Sequence, residues 1–301
     1  MGKSVILLDG GMGQELVRRS GVAPTPLWSV RVMLDAPTLV ETLHIDFIKA
    51  GAKVISLNNY TATPARLTRD ATLELFDQIH TSAIKIARSA REKAGVSDVQ
   101  IAGCLPPIVA SYKPELTPGF EDCLAQYRRL VAVQKDAVDL MFCETMATIR
   151  EGVAAATAAR EAGLRTIVSF TLDDENPAQL RSGESLIDAV TAVAALDVDA
   201  VAVNCSTPET ISAAMPELAA SFPKVGGYAN GFRSIAALDA GGTTAALKAR
   251  NDVTPTAYAA YAVQWADAGA KIIGGCCEVT PDHIAETARV LRGAGYGITP
   301  F

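Results

Sequence analysis

Ala268-Gly269-Ala270-Lys271-Ile272-Ile273 reads as a helix that stops on a glycine and a strand that starts at once, and nearly the same words stand far upstream as Ala50-Gly51-Ala52-Lys53-Val54-Ile55. Glu161-Ala162-Gly163-Leu164-Arg165 and Lys93-Ala94-Gly95-Val96 echo the phrase. In each, the glycine can take the left-handed conformation that ends a helix, and a strand begins within a few residues. Working outward, eight short β-branched, apolar runs recur, at 5–9, 53–58, 99–105, 138–143, 165–171, 200–204, 224–229 and 271–275. They are nearly continuous rather than alternating, as parallel strands covered on both faces are. Helix-like segments follow most of them, at 37–50, 66–94, 121–136, 148–162, 185–196, 208–221, 255–268 and 281–292. Thr207-Pro208 and Thr280-Pro281 mark two of the starts. Short turns from helix to strand, longer ones from strand to helix, and eight units in 301 residues predict an α/β fold of one domain, a (β/α)8 TIM barrel over residues 1–301. An open doubly wound sheet is the rival; eight regular units and the lack of a mononucleotide-type phosphate loop count against it. The long connections, 10–36 and 230–254, fall at the end where barrels build their sites.

Composition narrows the function classes. Apolar residues make up 49% and charged residues 20%, which suits a large buried core. Lys+Arg 27 against Asp+Glu 33 gives −6, and no basic run offers a nucleic-acid or membrane patch. No apolar segment is long enough for a signal peptide or a membrane span. The expectation is a cytoplasmic enzyme acting on small molecules. In a reducing compartment its six cysteines are expected as core residues or metal ligands rather than disulfides.

The strand carrying the opening phrase runs into Gly274-Gly275-Cys276-Cys277-Glu278, and the sixth strand ends in Val203-Asn204-Cys205. In a barrel these ends are separated by one strand, so three thiols can meet at the rim. Three protein ligands with a fourth position open is the pattern of a catalytic zinc site. Adjacent strand residues point to opposite faces, so Cys276 and Cys277 share an ion only where the chain leaves strand geometry, which Gly274-Gly275 permits. The competing reading makes all three small buried hydrophobes. Three thiolates on zinc leave one net negative charge and an electron-rich metal. Such a site favours binding and deprotonating a substrate thiol over activating water.

Other strand ends carry polar residues. Asp9-Gly10-Gly11-Met12-Gly13 follows the first strand; its glycines allow close backbone approach, and Asp9 is a candidate partner for a ligand ammonium or, alternatively, a helix cap. Glu144 ends the fourth strand, where a buried carboxylate needs a partner, either a substrate ammonium or a neighbouring Arg. Asn58, Asn59, Asn204 and Asn230 either orient ligands or bridge loops. Cys104 and Cys143 lie near strand ends, and Cys123 lies in a helix. His44, His80 and His283 form no set. No nucleophilic serine motif is present, and no catalytic group is expected beyond the metal site.

These residues resemble the homocysteine S-methyltransferase family, which includes betaine-dependent members and the homocysteine-binding module of methionine synthase. The likeness runs from Asp9-Gly10-Gly11-Met12-Gly13 through Pro26-Leu27-Trp28-Ser29, Glu144-Thr145 and Val203-Asn204-Cys205 to Gly274-Gly275-Cys276-Cys277. It implies a homocysteine-binding barrel with zinc on Cys205, Cys276 and Cys277 and homocysteine sulfur in the fourth position. It also implies that Asp9, the Gly10 and Gly11 backbone, and Glu144 hold the amino acid end. The methyl donor expected is a sulfonium, S-methylmethionine or S-adenosylmethionine. Betaine, another thiol or selenol acceptor, and a non-catalytic zinc barrel are the alternatives. Position 145 is Thr where betaine-using members carry Tyr, which disfavours betaine. Gly103-Cys104-Leu105-Pro106-Pro107 departs from the glycine-rich pattern of S-methylmethionine-using members, which leaves the donor open.

Overall fold

The computed structural model describes residues 2–301. Strands β1 (Ser4–Leu7), β2 (Val54–Ser56), β3 (Gln100–Leu105), β4 (Leu140–Met146), β5 (Thr166–Phe170), β6 (Ala200–Asn204), β7 (Val225–Tyr228) and β8 (Ile272–Ile273) fall inside or beside the eight expected runs. All pair in parallel, in one curled sheet of order β2-β3-β4-β5-β6-β7-β8-β1-β9. The ninth strand, β9 (Gly297–Thr299), was not anticipated. It pairs with the first three residues of β1, matching Ser4 to Gly297 and Ile6 to Thr299. Past that point β1 turns to β2: Lys53 N donates to Leu7 O at 2.7 Å and Asp9 N to Val54 O at 3.0 Å.

The connections differ from the reading in two places. The stretch 10–36 is not merely loop but holds helices α1 (Met12–Ser20) and α2 (Ser29–Asp35). The segment 66–94 is broken rather than continuous. It forms α4 (Pro64–Asp70), a 3-10 turn (Leu73–Leu75) and α5 (Phe76–Ala94). The break falls at Ala71, with φ −156° and ψ −115°, beside Thr72, whose hydroxyl takes the Glu74 amide. The remaining helices are α3 (Pro37–Ala50), α6 (Phe120–Gln134), α7 (Ile149–Glu161), α8 (Leu186–Ala194), α9 (Pro208–Ser221), α10 (Pro255–Asp267) and α11 (Pro281–Gly293). No helix among the described residues is long and apolar enough to cross a membrane.

Strand alternation makes two cores. Ile6, Leu8, Val54, Ala102, Leu140, Phe142, Ala200, Ala202 and Ile272 fill the concave side. Their strand neighbours Leu7, Ile55, Ile101, Met141, Val201, Val203 and Ile273 pack against the helices. The same period decides the spare cysteines. Cys143 follows Met141 outward into the helix-facing core, while Cys104 follows Ala102 inward. Cys123 is buried in the helical layer.

Candidate metal centre and substrate pocket

The three sulfurs meet. Cys205, Cys276 and Cys277 present ligand atoms that all lie within 4.8 Å of one another. Cys205 and Cys276 are joined as a disulfide, with Cα atoms 5.8 Å apart, which corrects the expectation that no cysteine pairs. Only thiolates ligate metals, so this pair must be reduced before the cluster can hold an ion. Cys277 stays a thiol, pushed up to about 12 by burial, with Glu278 and Glu144 adding to the shift. Three sulfurs within one ion's reach, buried or half-buried and placed beside a cavity, fit a three-ligand site with one open position.

Local backbone explains how they converge. β8 ends at Ile273, so Cys276 and Cys277 are free of strand alternation. Gly274 and Gly275 contribute room and not left-handed angles: a Cβ on Gly274 would lie 2.6 Å from Leu8 Cβ, and one on Gly275 would overlap Val279. The left-handed positions are elsewhere, at Cys205 (φ 50°) and Glu278 (φ 67°). Glu278 is spoken for, accepting from Gln14 Nε2 at 2.9 Å and Arg18 Nη2 at 3.1 Å. Trp28 Nε1 donates to Gln14 Oε1 at 2.9 Å, so the cysteine loop, α1 and the Trp28 turn are one network.

A cavity of about 150 Å³, enough for a molecule of benzene's size, opens beside the cluster. Asp9, Gly10, Gly11, Glu144 and the cysteines Cys205, Cys276 and Cys277 all line it. Asp9 does not cap α1. Its Oδ2 accepts from Ser56 N at 2.8 Å, and its carboxyl is pushed up to about 8, mostly by burial, with Glu144 adding repulsion. Burial likewise raises Glu144 to about 7; its hydrogen bond comes from Cys104 Sγ, 3.0 Å from Oε1, and not from an arginine. Neither carboxyl forms an ion pair among the described residues. Two buried acidic groups, one of which raises the other's cost of ionising, call for a cation in the cavity they share.

The glycines serve the cysteine loop as much as a ligand. A Cβ on Gly10 would overlap Val279 O, and one on Gly11 would overlap Cys276 O. Gly11 N already donates to Val279 O at 2.8 Å, so that amide is not available to a substrate. The start of α1 carries no side-chain cap and faces the cavity through Met12 and Gly13.

The strand-end amides bridge loops. Asn204 Oδ1 accepts from Thr145 N at 3.0 Å and its Nδ2 donates to Thr145 Oγ1 at 2.9 Å, pinning the left-handed Thr145 (φ 63°) behind Glu144. Asn58 Nδ2 donates to Ser29 O, Asn59 Nδ2 pairs with His80 Nδ1, and Asn230 Oδ1 accepts from Phe232 N. His283 caps α11, its Nδ1 accepting from Thr280 N. His44 is buried in α3 and, with His80, takes no part in the site.

Residues the sequence did not single out complete the pocket. Phe142 and Tyr228 stack on its floor with centroids 6.4 Å apart. Trp28 meets Tyr60 edge-on at 6.2 Å. Tyr112 and Phe232 pack beside the cysteines. The Tyr228 hydroxyl has no partner among the described residues.

Comparison with known proteins agrees with this geometry. The family pattern described as homocysteine S-methyltransferase matches residues 6–291. The Homocysteine S-methyltransferase of Escherichia coli (strain K12) is 32% identical, covering 94% of this chain and 94% of its own. The crystal structure of the homocysteine methyltransferase MmuM from Escherichia coli in its metallated form superposes with a TM-score of 0.79 at 30% identity, covering 95% of this chain and 96% of the other. Its oxidized form gives a TM-score of 0.80 at 29% identity over the same shares. With a family match along nearly its whole length and three sulfurs gathered at the rim of a parallel α/β sheet, the chain belongs to the homocysteine S-methyltransferase family.

Proposed function

We propose that this chain methylates the sulfur of homocysteine from a sulfonium donor, S-methylmethionine or S-adenosylmethionine, using zinc held by Cys205, Cys276 and Cys277 once the Cys205–Cys276 pair is reduced. Residues 1–301 act as one homocysteine-binding domain in a reducing, cytoplasmic setting. The Leu8–Val54 bridge with its two flanking hydrogen bonds supports reading the curled sheet as a (β/α)8 barrel. The observation that carries the reading is the pair of carboxyls, Asp9 and Glu144, neither ion-paired although Arg66 and Arg69 also line the cavity that holds the three sulfurs.

Zinc, when bound, holds the acceptor thiol in its deprotonated form at neutral pH while leaving the sulfur nucleophilic. The chain's own residues do the rest. Asp9 and Glu144 take the substrate ammonium, which relieves the penalty each bears in the empty pocket. With Gly11 N and Met12 N both occupied, the carboxylate falls to Gly10 N and the rest of the uncapped first turn of α1, where the helix dipole favours an anion. Trp28, Tyr60 and Tyr112 wall the donor side; Arg66 and Arg181 already lie against Tyr60 and Tyr112, which leaves Trp28 as the aromatic face to attract a sulfonium. Phe232, Ile235 and Leu247 cover the cysteines and keep water off. The donor's methyl–sulfur bond breaks as the new one forms. The donor leaves as a neutral thioether, and the acceptor's thiol proton passes to solvent. Most of the acceleration then comes from holding two reactants in line.

The test is methionine formation from homocysteine by the reduced protein, with S-methylmethionine, S-adenosylmethionine and betaine in turn, each with and without chelator. Turnover with a sulfonium, abolished by chelator and restored by zinc, is expected. Turnover that survives full removal of metal would sink the reading; turnover with betaine alone would replace the donor.

A further inference from the structure

Arg181 lies in the connection after β5 and does not line the cavity, yet its guanidinium reaches the back of the cysteine cluster. Its Nε donates to Thr171 Oγ1 at 2.9 Å. Its Nη2 donates to Asp174 Oδ2 at 2.9 Å and to the Cys205 carbonyl at 3.3 Å. Thr171 Oγ1 donates to that same carbonyl at 3.3 Å. The guanidinium carbon also sits 5.2 Å from the centre of the Tyr112 ring. Its side chain is only 10% exposed. Asp174 continues the path, since its Oδ1 accepts from Thr207 N at 2.9 Å and Thr210 Oγ1 at 3.3 Å where α9 begins, just past Cys205.

Two residues touched by this one group have backbones that side chains other than glycine resist. Cys205 has φ 50° and Tyr112 has φ 63°. Holding a non-glycine residue there costs on the order of 1–3 kcal/mol unless the surroundings fix it. Cys205 is fixed on both sides: its N–H donates to Tyr228 O at 3.2 Å, and its carbonyl takes two donors. If the carbonyl were released, the peptide could relax toward an extended conformation and carry the sulfur away from Cys276 and Cys277.

We propose that Arg181 is a positioning residue of the metal centre: it holds Cys205 in the left-handed conformation that completes the three-sulfur cluster, and it holds Tyr112 against the same cluster. The inference rests on the zinc reading of that cluster. A lysine does not substitute, because one ammonium lacks both the planar fork that serves Thr171, Asp174 and Cys205 together and the flat face that lies on Tyr112.

The experiment uses the reduced, zinc-loaded full chain with Arg181→Met and Arg181→Lys. Zinc affinity is read by competition with a chelator, the thiolate-to-metal band by cobalt substitution, and folding by far-UV circular dichroism. A fall in zinc affinity of about 10–100-fold is expected for Arg181→Met, as for loss of other groups that orient metal ligands. The cobalt band should be altered, the circular dichroism unchanged, and the lysine variant should give little rescue. Zinc affinity within twofold of the parent would overturn the proposal, even if the variant melts earlier. Should Arg181→Met not fold, Asp174→Asn, which uncouples the guanidinium from α9, must weaken zinc severalfold; unchanged affinity there overturns it equally. A parent chain that takes up no zinc when reduced removes the cofactor reading and this inference with it. Tight parent binding matched by Arg181→Met removes this inference alone.

Discussion

The two ends of the sheet handle the same backbone demand in different ways. At the end where strands begin, left-handed positions fall on Gly51, Gly95, Gly163 and Gly269, and on the aspartates Asp98 and Asp197. These residue types accept that conformation at small cost. At the end where strands finish, Gly21, Gly183 and Gly241 share it with five residues that resist it: Trp28, Tyr112, Thr145, Cys205 and Glu278. None of the five is chosen for local ease. Charge follows the same division. At the first end Lys53 pairs with Asp98 at 2.6 Å and Arg91 with Asp139 at 3.0 Å. At the second, where Arg18 pairs with Glu278 and Arg181 with Asp174, Asp9 and Glu144 still line one cavity with no ion-pair partner. One end is built for stability, and the other holds strain and unbalanced charge that a metal and a substrate can offset.

The largest break in this contrast should come from the cluster itself. Cys276→Ala should abolish zinc binding and lower turnover by about 10³-fold or more while the sheet stays folded. Metal analysis and circular dichroism check both halves, and retained turnover would show that the strained rim has another purpose. Next, Glu144→Ala should raise the KM for homocysteine by about 10–100-fold with little change in kcat, as loss of a charged hydrogen bond does.

A third effect reverses sign between folding and function. Both carboxyls sit above their ordinary values, so between about pH 4 and pH 8 the folded chain keeps protons that the unfolded chain has released. The stability of the empty protein should therefore fall as pH rises through that window. Glu144→Gln should stabilise it by about 1–3 kcal/mol at pH 8 and by almost nothing at pH 4, measured by denaturant titration. Homocysteine binding should run the other way and weaken as pH drops below about 7, where Glu144 protonates. The smallest effect belongs to the other end: Asp98→Gly should move stability by no more than about 0.5 kcal/mol and leave turnover alone.

The eight parallel strands and the meeting of three cysteines were legible because both rest on strong signals. Buried parallel strands are apolar throughout, and the glycines after α3 and α10 mark where each helix hands over to a strand. β9 was not legible: Gly297, Ile298 and Thr299 are exposed or half-exposed and show no pattern. Helix α1 hid behind Gly10, Gly11 and Gly13 and buries only Gly13 and Leu16. The roles of Gly274 and Gly275 came out differently, because close packing against Leu8 and Val279 leaves no trace in one sequence. Nor does a left-handed cysteine or threonine. Arg181 and Asn204 matter through the backbone they pin, and such partners appear only when the strands are set side by side.

The shared edge of β1 carries one more consequence. β9 covers Ser4 to Ile6, the chain from Leu7 to Asp9 turns to β2, and Asp9 lines the cavity. Trimming residues 297–301 would bare the edge of β1 that faces β9, including the Lys3 carbonyl that takes Gly297 N at 2.9 Å, an invitation for another molecule's strand to dock and for copies to clump. Clipping at the tail would thus be felt first as lost solubility, and then as a loosened floor beneath the cavity that Asp9 lines.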